Sequence, residues 1–311
     1  MTGWSELNRN NDVREREDTI EFVVEQASDG MTCAEFLRKC GVSRRLVTKL
    51  KRVPMGITRG NELVRTIDEV FAGEVIVLKN VDESLLEPNE NLNVPIAYED
   101  ENLVVFNKPD GMPVHPSIKH QGDTLGNCFS AMFPKLTFRP INRLDKDTSG
   151  LCAVAKNAHA ANIYSGSIKK IYYAVTEGKP IPDAQRDGIE WTEKTEGVYR
   201  INAPIGRAGE SIIRREVRSD GQQAVTNYTI EKSNEKFSLV RVNLETGRTH
   251  QIRVHFSSVG HPLAGDDFYG GSLECFKAQA LHCGEMSFTS VNGEKIEVVC
   301  PLREDMLAVF E

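Results

Sequence analysis

No stretch of this 311-residue chain comes near the roughly 20 consecutive apolar residues that cross a bilayer. Its first twenty residues, MTGWSELNRNNDVREREDTI, lack both the apolar core of a secretory signal and the acid-poor composition of a transit peptide. No membrane association is therefore expected, and the address predicted is the cytoplasm. The seven cysteines are odd in number, scattered and without a C-x-x-C pair, so neither a disulfide framework nor a zinc site is predicted. Most of them read as small core residues in a reducing compartment. Internal repeats and low-complexity tracts are missing as well. What remains, at 40% hydrophobic and 27% charged residues, is an ordinary globular composition. The length suits one large or two modest domains, each able to bury a core.

An excess of positive charge is also lacking. The net charge of −7 speaks against nonspecific attraction to a phosphate polymer. The distribution reverses that inference. Between Met31 and Arg65 stand nine basic residues and two acids, a local balance of +7 that leaves −14 for the rest. Such asymmetry marks a binding module joined to something else, and it equally suits a solvated face. The segment predicts two short helices. Thr32 and Glu35 make a capping box, and Cys33, Phe36, Leu37 and Cys40 set one apolar stripe before Gly41. Ser43 caps the second helix, which turns Leu46, Val47 and Leu50 inward and Arg44, Arg45, Lys49 and Lys51 outward, and Pro54 stops it. With β-prone runs at Ile57, Leu63–Val64 and Val75–Leu78, this predicts a compact ααβ unit with one cationic helix.

Residues 80–93, NVDESLLEPNENLN, have the polar, acidic composition of an exposed linker. The organisation predicted is a flexible segment 1–20, a small module 21–82, a linker 83–94 and a large domain 95–311. In the large domain short strand-like runs dominate: Leu103–Phe106, Leu151–Ala155, Tyr172–Thr176, Ala224–Ile230, Ser238–Asn243 and Lys295–Val299. Turn signals such as Asp110-Gly111, Asp220-Gly221 and Asn292-Gly293 punctuate them. Strand and helix do not alternate, so the fold class expected is α+β with a mainly antiparallel, mixed sheet. Asp183–Gly197 reads as a surface excursion.

Two polar segments have no evident structural employment. Ile141–Gly150, INRLDKDTSG, is a dense loop ahead of the strand at Leu151. Thr246–Phe256, TGRTHQIRVHF, predicts a helix capped by Thr249 with Ile252, Phe256 and Val259 as its apolar face and Gly260 as its end. Together they suggest a carboxylate beside a guanidinium, which stays ionised and can serve as nucleophile or base. The same pair also reads as an ion pair that fixes a loop.

At R-L-D-K-D-T-S-G, Arg143 to Gly150, the chain resembles the RluA family of pseudouridine synthases. Further blocks agree in order: Tyr98 to Gly111 with His115-Pro116, then Lys170-Ile-Tyr172-Tyr-Ala174, then Gly247 to His255 with Gly260-His-Pro262, Gly265-Asp266 and Tyr269-Gly270, and last Gln279 to His282. The similarity covers about residues 95–305, and separated blocks in order are far more specific than one short motif. The module around Met31–Leu78 is similar to the S-four-like RNA-binding domain named after a ribosomal protein, and Val53–Thr58 departs from that domain's usual turn. Asn142 stands where many family members have His.

The resemblance implies an isomerase that converts uridine to pseudouridine in RNA and uses no cofactor. Such an enzyme breaks the bond from uracil nitrogen to ribose, turns the base and rejoins it through carbon 5. It implies Asp145 as the catalytic carboxylate, Tyr172 packing on the uracil and assisting proton removal from carbon 5, and Arg253 paired with Asp145. Arg143 would fill the space left by the flipped base. Lys108, Lys170 and Arg248 would meet phosphates in the cleft, and Arg44, Arg45 and Lys49 would grip RNA from the small module. His250, His255, His261 and His282 fit no familiar ligand spacing, so no metal is assigned and they read as hydrogen-bonding groups of the core or cleft. The partner expected is RNA, ribosomal ahead of transfer RNA, with no obligate protein partner. Two other readings are a noncatalytic RNA-binding protein that keeps the fold, and a uracil-releasing glycosidase with Asp147 as a second carboxylate.

Overall fold

The computed structural model describes residues 19–79, 86–209, 211 and 213–311. The chain divides into two compact units with the break after Asp82.

In the N-terminal unit, Thr32 and Glu35 form the reciprocal capping box at the head of α1 (Cys33–Lys39), and the Ser43 side chain accepts the Leu46 amide at the head of α2 (Arg44–Leu50). Gly41, at φ +78°, makes the turn between them. The apolar stripe Cys33, Phe36 and Leu37 is buried with Leu50 against Ile57, Ile76 and Leu78. Those last residues belong to an antiparallel sheet of β1 (Thr19–Val23), β3 (Ile57–Arg59), β4 (Glu62–Leu63) and β6 (Val75–Lys79). A small pair, β2 (Met31–Thr32) and β5 (Glu69–Val70), closes the unit. Strand β1 pairs along its whole length with β6 from Thr19 onward, so Thr19 and Ile20 belong to the sheet and not to a flexible leader. The remainder of that expected leader lies outside the described residues. Two of the nine cations counted above are matched by acids beyond the counted window: Arg59 bonds Glu74 at 2.9 Å and Arg65 bonds Asp68 at 3.0 Å. Of the cations on α2, Arg44 and Arg45 are exposed and Lys49 is half-buried.

The C-terminal unit is built on one sheet. Its strands are β7 (Ile96–Glu99), β8 (Leu103–Lys108), β9 (Arg139–Pro140), β10 (Ser149–Ala155), β11 (Lys169–Glu177), β12 (Glu190–Thr195) and β13 (Val198–Asn202), then β16 (Val225–Ser233), β17 (Phe237–Leu244), β18 (Leu281–Thr289) and β19 (Lys295–Val299). The order is β12-β13-β16-β17-β11-β18-β10-β8-β7, with β9 on β10 and β19 on β18. A separate hairpin, β14 (Ile205–Arg207) and β15 (Arg215–Val217), stands off it. Among the described residues every strand pairing is antiparallel except one: β10 and β18 run parallel through Ser149↔His282 and Gly150↔Cys283. The class is therefore α+β and mainly antiparallel, as expected. Strands β8 and β10 are apolar on both faces because both are covered. Helices α3 (Leu125–Met132), α4 (Ala158–Tyr164) and α5 (Gln251–Ser258) add Phe129, Tyr164 and Phe256 to the same core, and α6 (Glu304–Ala308) places Met306 in a smaller cluster.

Three expectations are corrected. Residues 86–94 expose Glu87, Pro88, Glu90, Asn91 and Asn93 as a linker would, but the segment is tied to the C-terminal unit. Val94 is buried in the sheet core, Asn89 donates to the Gly122 carbonyl at 2.6 Å, and Asn127 donates to Glu87 at 2.7 Å. Residues 83–85 of that linker lie outside the described residues. The stretch Asp183–Gly197 is not all excursion, because its second half forms the edge strand β12, anchored by buried Trp191 donating to the Tyr228 hydroxyl at 2.8 Å. Helix α5 keeps its predicted apolar face and its end at Gly260, but its N-cap is His250 and not Thr249.

Candidate active site

The loop between β9 and β10 is tied down at both ends. Asn142 is buried: its amide nitrogen donates to the Leu151 carbonyl at 3.1 Å and its oxygen accepts the Ala153 amide at 2.8 Å. The residue in place of the family histidine therefore laces the loop onto β10. At the other end Gly150, φ +104°, faces Cys283 so closely that a Cβ would lie 2.3 Å from the Cys283 carbonyl oxygen. Only glycine lets β10 enter its parallel pairing there. From below, Lys108 donates to the carbonyls of Pro109, Met112 and Lys146 at 2.7, 2.7 and 2.9 Å. It is wholly buried, and burial pulls its pKa down to about 8. Lys108 is thus no phosphate contact: all three of its protons are spent on backbone oxygens, one of them next to Asp145.

Between these anchors a turn, closed by the Thr148 amide on the Asp145 carbonyl at 3.1 Å, presents the Asp145 side chain. Its Oδ2 accepts Arg253 Nη1 at 3.0 Å and faces His250 Nε2 at 3.7 Å. Arg253, in the first turn of α5, turns its other edge to Asp266, Nε to Oδ2 and Nη2 to Oδ1, both at 2.7 Å. The Arg253 guanidinium also lies 4.9 Å from the centre of the Tyr269 ring. Burial opposes the charge of Arg253, but the bonds to Asp266 and Asp145 outweigh it and its pKa is raised. The expected pair is present, and Asp266 makes it a triad.

Tyr172 sits where the register of β11 against β18 shifts by a bulge, the device that re-aims a strand side chain. It is buried beside Asp145, and burial raises its phenol well above the ordinary value. Together these groups line a cleft of about 410 Å³ bounded by Ile141–Asp145, Lys170, Tyr172 and Gly247–His250, with an adjoining recess of about 70 Å³. Arg143 and Arg248 stand on its rim, and Arg248 is held by the Gln223 carbonyl at 3.1 Å. Lys170, half-buried, donates to the Ile168 carbonyl at 3.2 Å and its pKa is lowered by burial. Asp147 is not among the residues lining the cleft. Arg44, Arg45 and Lys49 belong to the other unit.

Four residues to which the sequence assigned neither a catalytic role nor an RNA contact complete the site. Asp266 and Tyr269 belong to the motifs that carry the family resemblance but had no role assigned to them. Gln251, buried, accepts the Thr246 hydroxyl at 2.8 Å and the Arg248 amide at 3.0 Å and donates to the Val225 carbonyl at 3.0 Å, which fixes the turn before α5. His250 takes the left-handed conformation, φ +57°, which costs a non-glycine residue about 1–2 kcal/mol. Of the other histidines, His255 bonds Thr226 and the Ala203 carbonyl, His282 bonds Ser149, and His261 bonds the Glu177 carbonyl. Each is a hydrogen-bonding group of the core or cleft margin.

A model of the RNA pseudouridylate synthase family matches residues 102–258. The chain is 35% identical over 288 residues to YjbO, an uncharacterised RNA pseudouridine synthase of Bacillus subtilis, a match covering 89% of this chain and 97% of the relative. It is 34% identical over 276 residues to ribosomal large subunit pseudouridine synthase D of Pseudomonas aeruginosa, covering 81% of this chain and 82% of the relative. The solved structure of human RNA pseudouridylate synthase domain containing 1 matches with a TM-score of 0.53 at 26% identity, over 70% of this chain and 86% of that one. The family match encloses the loop of Asp145, the bulge of Tyr172 and the helix of Arg253, and the chain belongs to the RNA pseudouridine synthases of the RluA type, isomerases that act on RNA.

Proposed function

We propose that the protein isomerises uridines of ribosomal RNA to pseudouridine in the cytoplasm, with Asp145 as the catalytic carboxylate. The observation that carries this is the Asp145 side chain on the floor of the cleft, held through one oxygen by Arg253 at 3.0 Å and flanked by Tyr172. A carboxylate paired with a buried guanidinium suits attack on the ribose or removal of a ribose proton. The buried phenol of Tyr172 favours its protonated form, so its contribution is a wall against which the detached uracil turns, and a phenolate base is disfavoured there. Arg143, exposed at the cleft, enters the stack when the uridine leaves it, a flip that costs a few kcal/mol. Arg248 and Lys170 supply cations to the flanking phosphates. The N-terminal unit acts as an S-four-like RNA-binding module through Arg44, Arg45 and Lys49.

Ribosomal RNA is favoured over transfer RNA because relatives such as the Pseudomonas aeruginosa protein carry a ribosomal name. A uracil-releasing glycosidase is disfavoured because Asp147 does not line the cleft. The test is tritium release from RNA labelled at uracil carbon 5. Ribosomal RNA releases tritium with the protein and does not with Asp145→Asn. Release from transfer RNA alone moves the substrate assignment, and no release from either RNA leaves a noncatalytic binder.

A further inference from the structure

His250 holds a backbone conformation that glycine would adopt without strain, so its side chain, and not its backbone, explains its presence at the head of α5. Its surroundings determine where its ring proton sits. The buried Tyr269 hydroxyl accepts the Arg215 amide at 3.0 Å and stands 2.8 Å from His250 Nδ1. Among the described residues this hydroxyl has no other acceptor, so its own proton points to Nδ1. Nδ1 is then the bare nitrogen and Nε2 carries the proton. Nε2 faces Asp145 Oδ2 at 3.7 Å, the same oxygen that Arg253 Nη1 reaches at 3.0 Å. Oδ1 of Asp145 receives no hydrogen bond among the described residues.

We infer that His250 is a positioning residue for the isomerisation: Tyr269 fixes it as the Nε2–H tautomer, and with Arg253 it holds Oδ2 of Asp145, leaving Oδ1 as the oxygen that meets the ribose. The inference rests on Asp145 being the catalytic carboxylate. The 3.7 Å separation is longer than a hydrogen bond, so this role requires it to shorten when uracil fills the cleft. Two protein donors on one oxygen orient the carboxylate plane, and the second oxygen keeps its full nucleophilicity or basicity.

The test uses the full chain with ¹⁵N-labelled histidine. At neutral pH the two-bond ¹H–¹⁵N spectrum, with the His250 ring assigned by difference from His250→Gly, shows the Nε2–H pattern, and Tyr269→Phe loses it. An Nδ1–H pattern in the unmodified protein overturns the inference. In single-turnover tritium release, His250→Gly lowers the rate constant about tenfold to a hundredfold, the scale of a misplaced reacting group. The RNA concentration at half-saturation stays within about twofold, and the unfolding midpoint shifts little, because relief of the left-handed backbone offsets the lost bond to Tyr269. An unchanged rate overturns the inference, and so does a loss of rate that only follows a loss of stability. Asp145→Asn is measured in parallel. Release that persists in Asp145→Asn sinks the assignment of the carboxylate itself, whereas a dead Asp145→Asn beside a fully active His250→Gly sinks only the role of His250.

Discussion

Asn142 shows how a single side chain couples folding to chemistry. It donates to one carbonyl and accepts one amide of the buried strand β10. Asn142→Ala removes both bonds, which at about 1–3 kcal/mol for each buried group left unsatisfied predicts a loss of about 2–6 kcal/mol in urea denaturation. The rate of tritium release falls with it while RNA affinity holds, since the loop that drifts carries Asp145 and not the cationic rim. At this scale the site was legible only where a residue's chemistry is local. Asp145, Tyr172 and Arg253 came from the resemblance, and the structure brings the three into one cleft. Asp266 was invisible because an acid thirteen positions from its arginine across a turn carries no sign of which cation it serves. Lys108 misled for the opposite reason: a lysine after a strand suggests surface, and here three inward carbonyls claim it.

Among the elements, strands with clean apolar runs were legible and polar ones were not. Strand β18, LHCGEMSFT, sits near the middle of the sheet yet reads as mixed, because His282 bonds Ser149 and Glu285 is matched by Arg241 at 2.9 Å and by the Tyr173 hydroxyl. Edge strand β12 was hidden in the same way by its charged outer face. The bulge that aims Tyr172 has no sequence signal, since it arises from the pairing of two strands more than a hundred residues apart. Where β10 meets β18 the tolerance is smallest. Gly150→Ala places a methyl 2.3 Å from the Cys283 carbonyl oxygen at a positive φ, so the expected cost is about 3 kcal/mol or more. Thermal unfolding of the purified variant checks this, and a midpoint equal to that of the parent protein contradicts it.

At the scale of the whole molecule, the net charge of −7 conceals a cationic helix in one unit and a cationic rim around the cleft of the other. Arg44→Glu with Arg45→Glu is expected to weaken RNA binding and to flatten its dependence on salt by about two units of slope, measured by titration between low and high salt. Stability has its own pH dependence. Burial holds His255 and His282 at about 4, against an ordinary value of 6.5. Between these values the unfolded chain binds the protons and the folded one refuses them, so stability falls as pH drops from 6.5 towards 4. At pH 5 each contributes roughly 2 kcal/mol of destabilisation, read from denaturation midpoints at pH 7.5, 6 and 5. The lone parallel pairing of β10 with β18 has one more consequence, for the order of assembly. It joins residues 133 positions apart through two register pairs, whereas hairpins such as β16–β17 and β18–β19 close over short loops. Local hairpins close early and distant strands meet late. The loop carrying Asp145 leads into β10 at that junction, so in refolding the cleft is expected to take shape only after the local hairpins have closed.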